Sequence, residues 1–358
     1  MTPTPSSDGF FQPAEWARHS AVWLAWPSHA DLWLEALEPV RDAFVRFALA
    51  IADPGPSGQP RGERIELLVP DAENEALAAE RLEGLPVRCH RIPFGDIWLR
   101  DTAPVFLKRR SGRSAGGADL AVASFAFNGW GGKYVLPHDD EVSGRVAAAV
   151  ASGSAPGAKV YRFPFVLEGG SVEVNGEGTC LTTRQCLLNP NRNPGVGSDE
   201  LEELLRQSLG VRTVLWLGDG LRGDHTDGHV DTIARFVAPG RVVCMAPAGD
   251  DPNREALEAV RRDLASFRDE RGRRLEVETV PSPGCVLDDS GELMPASYVN
   301  FYVANTTVVV PQYGVAADEA ALLRVGQLFP TRRAVGVPAK DLLAGGGAFH
   351  CISQQQPA

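Results

Sequence analysis

Short apolar runs rich in β-branched residues alternate with longer segments of helical period along this whole chain, and that alternation restricts it to the α/β class. "ERIELLVP" (63–70) reads as a strand, "AENEALAAERLEG" as a helix and "PVRCHRIPF" as the next strand. In "SDELEELLRQSLG", Leu201, Leu204, Leu205 and Leu209 fall on one helical face; Ser198 is placed to cap the start, and Gly210 to end it. "TVLWLGD" follows as a short buried strand. "DPNREALEAVRRDLASF" and "ADEAALLRVGQLF" predict two further helices, each succeeded by a strand, and "SVEVNGEGTCLTT" predicts a hairpin around a Gly-rich turn.

Nothing interrupts this pattern as a linker would. "DPGPSGQPRG" (53–62) and "RRSGRSAGGA" read as surface loops, because strand and helix resume after each. The expectation is therefore a single domain over residues 1–358. Lysine and arginine total 35 against 46 acids, a net charge of -11, which excludes a broad phosphate-tracking surface and suits small cationic ligands. The one basic cluster, "KRRSGR" (108–113), reads as a solvated loop. No leader pattern or membrane-length apolar run is evident, and the six cysteines lack CxxC spacing. The expectations are a cytoplasmic protein, no nucleic-acid or membrane partner, and cysteines that are mostly small buried hydrophobes.

Four stretches combine special backbone needs with reactive side chains. In "DIWLRDTAPVF", Arg100 and Asp101 could form a structural ion pair, yet Trp98 beside the Asp101 carboxylate also suits a planar cation, stacked on one side and hydrogen-bonded at its edge. In "VLEGGSVEVNGEGT", Glu168 precedes Gly169 and Gly170, either as an exposed acid at a turn or as a carboxylate closely approached by another group. "GDHTDGHVDTIARFV" holds Asp224, His225, Asp227, His229 and Asp231. His225 and His229 have the spacing of a zinc-binding helix, but Gly228 and the β-branched run after them argue against a helix. An extended backbone would instead project His229 and Asp231 from one face, a proton-transfer group beside a cation-binding carboxylate. Last, "GGGAFHC" places Cys351 behind a backbone that a ligand can approach closely at Gly346 and Gly347.

Taken together and in order, "DIWLRDTAP", "FNGWGGKY", "LEGGS", "TDGHVD" and "GGGAFHC" resemble the agmatine deiminase family, which includes bacterial peptidyl-arginine deiminase. The resemblance runs from "EWARHSAVWLAWP" to "CISQQQP". It implies the five-bladed α/β propeller of the guanidine-modifying pentein superfamily, built from ββαβ-type units around a pseudo-fivefold axis. By the same resemblance Cys351 is the nucleophile, His229 the general acid/base, Asp101 and Asp231 the carboxylates gripping the guanidinium, Glu168 the acid orienting His229, and Trp98 an aromatic wall. Asp224 and Asp227 are the candidates for the distal amine of the substrate.

The implied reaction is hydrolysis of agmatine to N-carbamoylputrescine and ammonia, a step of polyamine (putrescine) biosynthesis, through a covalent thiouronium, with no metal or cofactor. A homo-oligomer is a further implication. His350 neighbours Cys351, but in an extended chain it would point away, so the proton work is expected of His229. Three other readings stay open on the sequence: deimination of free or peptidyl arginine by the same residues, a non-catalytic guanidinium-binding protein, and a metallohydrolase built on "HTDGH".

Overall fold

The structure, a computed structural model, describes residues 3–110 and 118–358. Most of the "RRSGRSAGGA" loop, and the last three residues of "KRRSGR", lie outside the described residues, whereas Lys108 and Arg109 end a strand. The described residues form five small sheets.

Four sheets follow one plan: an antiparallel strand pair, a helix, and a strand that returns parallel to the second strand. Helices Asp139–Ala149, Ser198–Leu209, Arg254–Ser266 and Asp318–Leu328 make these crossovers. In the fourth sheet, Tyr302 pairs antiparallel with Val309, and Val309 pairs parallel with Val335. A parallel neighbour requires such a crossover, which explains the strand and helix alternation of the sequence. These are the ββαβ units that the resemblance implies.

The fifth sheet joins the two ends of the chain. Strand Gln354–Pro357 pairs antiparallel with His19–Ala25, which runs parallel to Arg64–Val69 and, one strand further, Val87–Arg91. Helices Leu37–Ala52 and Ala72–Arg81 provide the crossovers. This closure fixes the segment just before residue 354, and Cys351 with it, against strands from the start of the chain.

Local chemistry accounts for the elements. Leu201, Leu205 and Leu209 are buried as the helical period predicts, each worth about 1.5–3 kcal/mol, and Leu204 packs half-buried beside them. Gly210 ends that helix in the left-handed region at φ 68. Its start departs from expectation: Gly197 takes the cap position, and Ser198 is the first helical residue without a side-chain cap. Asp71, by contrast, caps the helix Ala72–Arg81 by accepting from Asn74 N. The hairpin Val172–Val174 with Thr179–Thr183 forms as predicted. Among the described residues no helix is long and apolar enough to cross a membrane. Cys180, Cys186, Cys244 and Cys351 are buried, Cys89 is half-buried and Cys285 is exposed, and all six are free.

Candidate active site

A cavity of about 230 Å³ is walled by Trp98, Trp130, Tyr134 and His225, with Asp96, Asp101, Gly346, Gly347 and Cys351 among its other lining residues. Three single helical turns meet beside it, and the first reaches the lining through Asp101, while Glu168, His229 and Asp231 are not among the lining residues. Leu99–Thr102 carries Asp101, Gly169–Ser171 follows Glu168, and Val230–Thr232 carries Asp231 directly after His229. These turns pack on one another, which brings residues from three distant motifs to one place.

Gly170 marks the point of convergence. A methyl group built there would lie 2.6 Å from His229 Nδ1, 3.0 Å from Asp101 Oδ1 and 3.2 Å from Asp231 Oδ2, so only hydrogen fits. Gly170 N donates to Asp101 Oδ1 at 3.0 Å, and Trp130 Nε1 donates to Asp101 Oδ2 at 2.9 Å. His229 Nδ1 stands 3.8 Å from Asp101 Oδ2. The sequence reading expected an extended backbone at 229–231. The chain instead turns through a single 3-10 turn there, and convergence follows from that turn packing on the turn at Gly170.

Cys351 sits at the cavity floor with 7% of its surface exposed. Its sulfur is 3.6 Å from Asp231 Oδ2 and accepts from Asn300 Nδ2 at 3.2 Å. Gly347 provides the close approach: a side chain there would meet Cys351 Cβ at 2.8 Å, and Sγ and Trp98 Cζ3 at 2.9 Å. Gly346, at φ +110, takes a backbone conformation that suits glycine alone.

Several buried polar atoms lack a protein partner among the described residues: both His229 ring nitrogens, Asp231 Oδ1 and Glu168 Oε2. Such atoms are costly unless something binds there. Burial, followed by the charges of Asp231 and Asp101, pushes the Cys351 thiol well above its ordinary range. Burial also opposes charge on His229, but Asp101, Glu168 and Asp231 outweigh it and hold the imidazole above its usual value. Asp101 is pushed up by burial and by the charges of Glu168 and Asp231. Asp231 is held down: burial opposes its charge, and the His350 hydrogen bond and charge prevail. The free site therefore favours a neutral thiol beside an imidazolium, in a crowd of carboxylates suited to an incoming cation.

The remaining predicted residues are placed as follows. Trp98 forms a cavity wall and donates from Nε1 to Asp96 Oδ2 at 2.8 Å. Glu168 lies beside His229 and accepts from Arg192 Nε at 2.6 Å. Asp224 and Asp227 are not brought to the cavity wall. Asp224 turns into its own loop, accepting from Thr226 N at 2.8 Å and His229 N at 3.1 Å. Asp227 is held by Arg192 Nη1 and Lys133 Nζ, each at 2.5 Å. Arg100 does not pair with Asp101; it reaches the other way, to His350 O at 3.2 Å and the side chains of Gln354 and Gln355.

His225 lines the cavity apart from His229. Among the described residues, the one grouping with metal-ligating geometry is Glu168, Cys186 and His229. A dication there would meet the Arg192 guanidinium already seated on Glu168, which disfavours it.

Four residues of the site are not singled out by the sequence, two of them outside any motif and two inside one. Asn300 follows an unremarkable "SYV", and Arg192 lies in the loop "NPNRNPG". Asp96 opens "DIWLRD", and Trp130 sits in "FNGWGGKY", a motif whose glycines could have marked it.

The profile of the Porphyromonas-type peptidyl-arginine deiminase family matches residues 11–357. The agmatine deiminase of Ectopseudomonas mendocina is 39% identical over 100% of this chain and 98% of its own length. The solved agmatine deiminase of Enterococcus faecalis superposes with a TM-score of 0.88 at 32% identity, covering 100% of this chain and 98% of that one. The "DDAH" structure from Pseudomonas aeruginosa shares the fold at 14% identity and a TM-score of 0.50, covering 94% of this chain and 99% of that one. The chain thus belongs to the Porphyromonas-type peptidyl-arginine deiminase family, whose members include the agmatine deiminases.

Proposed function

We propose that the protein hydrolyses agmatine to N-carbamoylputrescine and ammonia, with residues 1–358 acting as one cytoplasmic catalytic unit. The observation that carries this reading is the cavity lining: Cys351 and Asp101, aromatic side chains, a second carboxylate at Asp96, and, among the described residues, no lysine or arginine in the lining. Free arginine would bring an α-carboxylate into this space and find no cationic side chain on the wall. Agmatine has an amine in place of that group, and aromatic faces attract cations. Neither Asp224 nor Asp227 is needed for that end of the substrate.

The chemistry follows from the geometry. The guanidinium enters between Asp101 and Asp231, where Asp231 Oδ1 awaits a partner. Its positive charge offsets the carboxylates that hold the Cys351 thiol up, so the thiol releases its proton to water and the thiolate attacks the guanidinium carbon. His229, as imidazolium, gives its proton to one amino group; the C–N bond breaks, ammonia leaves and a thiouronium remains on sulfur. Neutral His229 then takes a proton from water as the hydroxide adds to the same carbon. The tetrahedral adduct collapses, the C–S bond breaks, the ureido product departs, and the proton lost from its oxygen is taken up by ammonia. Thiolate and imidazolium are restored. These steps draw on neither a metal nor an organic cofactor.

The test is ureido-group formation by purified protein with agmatine and free arginine side by side, and Cys351→Ser as control. Turnover of agmatine in preference to arginine, abolished in the variant, is expected. Preference for arginine would transfer the reading to arginine deimination, and binding without turnover would leave a guanidinium-binding protein.

A further inference from the structure

His350 is the buried ionisable group beside the nucleophile that the steps above do not use. It does not touch the sulfur. Its Nδ1 lies 2.6 Å from Asp231 Oδ2, and its Nε2 lies 2.7 Å from Glu15 Oε2. Asp231 is fully buried, and His350 and Glu15 are nearly so.

Glu15 is itself fixed from three directions. Arg235 Nη2 pairs with Oε2 at 2.5 Å, Val303 N donates to Oε1 at 2.9 Å, and Arg100 Nη2 stands 3.8 Å away. Arg235 in turn holds Glu173 at 2.8 Å and donates to Phe301 O at 3.0 Å. The imidazole thus spans a rigid charged lattice on one side and the Asp231 carboxylate on the other.

We propose that His350 is a positioning residue for substrate binding: by bridging Glu15 to Asp231 it occupies Oδ2 and leaves Oδ1 free to receive the guanidinium. Ionised carboxylates only accept, so a ring set between two of them donates from both nitrogens. Glu15 supports this, because burial opposes its charge and the Arg235 and His350 charges hold it far below the usual carboxylate range. With Oδ2 held by His350 and 3.6 Å from the Cys351 sulfur, the carboxylate has one orientation; without this strut it could rotate and turn Oδ1 away from the substrate. Because His350 and Cys351 are adjacent, one short segment then sets both the nucleophile and the carboxylate beside it. This inference deepens the agmatine reading and rests on it for its binding assay.

The amide of His350→Asn places a donor near the Nδ1 position, and that of His350→Gln near the Nε2 position. In a Cys351→Ser background, where no chemistry intervenes, agmatine binding is measured by calorimetry. The expected result is weakening of about tenfold or more in His350→Gln and recovery to within about threefold in His350→Asn, the scale of one buried hydrogen bond to a charged group. Equal weakening in both variants, or none in either, would overturn the proposal. If neither variant folds, or if the Cys351→Ser parent binds no agmatine, proton NMR of the unsubstituted protein decides the matter without a substrate. A strongly deshielded signal from the His350 Nδ1 proton that disappears in Asp231→Asn is then expected, while that of the Nε2 proton facing Glu15 remains, and absence or persistence of the Nδ1 signal would overturn the bridge. Failure of the parent to bind agmatine would count against the substrate reading alone.

Discussion

Asn300 Nδ2 stands 3.2 Å from Cys351 Sγ, and Oδ1 of the same side chain accepts from Cys351 N at 3.4 Å. The amide therefore fixes the Cys351 backbone and, in the proposed mechanism, supplies a donor to sulfur as negative charge develops. Asn300→Ala is expected to lower kcat/KM by about 100-fold, the scale of removing one preorganised donor. Asn300→Asp, which sets a carboxylate against the thiolate, is expected to lower it further. Steady-state kinetics check both, and an Asp variant as active as the Ala variant would contradict the charge argument.

If His229 is the acid of the proposed mechanism, its raised imidazole sets the alkaline limb of the pH profile. The free site holds the catalytic proton above the usual histidine range and loses it as pH rises through that raised value, so kcat/KM falls there. Glu168→Gln removes one of the charges that raise His229, and the alkaline fall should move to lower pH. A pH series on the two proteins measures this, with an unmoved limb as the contrary result.

Gly347 has no room for a methyl group, since Cys351 Sγ and Trp98 Cζ3 would both lie 2.9 Å from it. Gly347→Ala should push the thiol or the indole aside. The expected outcome is a loss of about 100-fold in kcat from misplacement of the nucleophile, with about 1–3 kcal/mol of destabilisation in urea titration. Wild-type kcat in a folded variant would show that the loop has slack there.

Asp139 is a stability probe outside the cavity lining. Its Oδ1 accepts from Gly95 N at 2.7 Å, and burial pushes the carboxyl up to about 7 from 3.8. A raised carboxyl keeps its proton in the folded state after the unfolded chain has lost it. Stability therefore falls as pH rises from about 4 to about 7, by up to about 4 kcal/mol for a shift of about three units. Asp139→Asn should flatten that fall and leave the protein more stable than the parent at pH 8. Denaturant midpoints across that range provide the measurement, and parallel curves would refute the assignment.

The sequence reveals the elements better than it reveals their meeting. Leu201, Leu205 and Leu209 announce a helix because helical burial is a local, periodic constraint, and "SVEVNGEGTCLTT" announces a hairpin for the same reason. Pairing of Gln354–Pro357 with His19–Ala25 is not periodic at all, and the contacts of Glu15 with His350, Arg192 with Glu168 and Asn300 with Cys351 join residues distant in sequence, which no local pattern announces. Cys351, His229, Asp101, Asp231 and Glu168 stand out through the order of five motifs, whereas the backbone at 229–231 turns where alternation suggests extension. Asp224 and Asp227 show the limit of reading acids from a polar cluster, because Asp224 holds its own loop together and Asp227 ties that loop to Arg192 and Lys133 in other segments.

The most direct test of the central claim is mass spectrometry of acid-quenched protein during agmatine turnover. The account predicts a transient mass gain equal to agmatine less ammonia, mapped to the peptide containing Cys351 and absent in Cys351→Ser. Turnover with no adduct on Cys351, or an adduct on another residue, would contradict it.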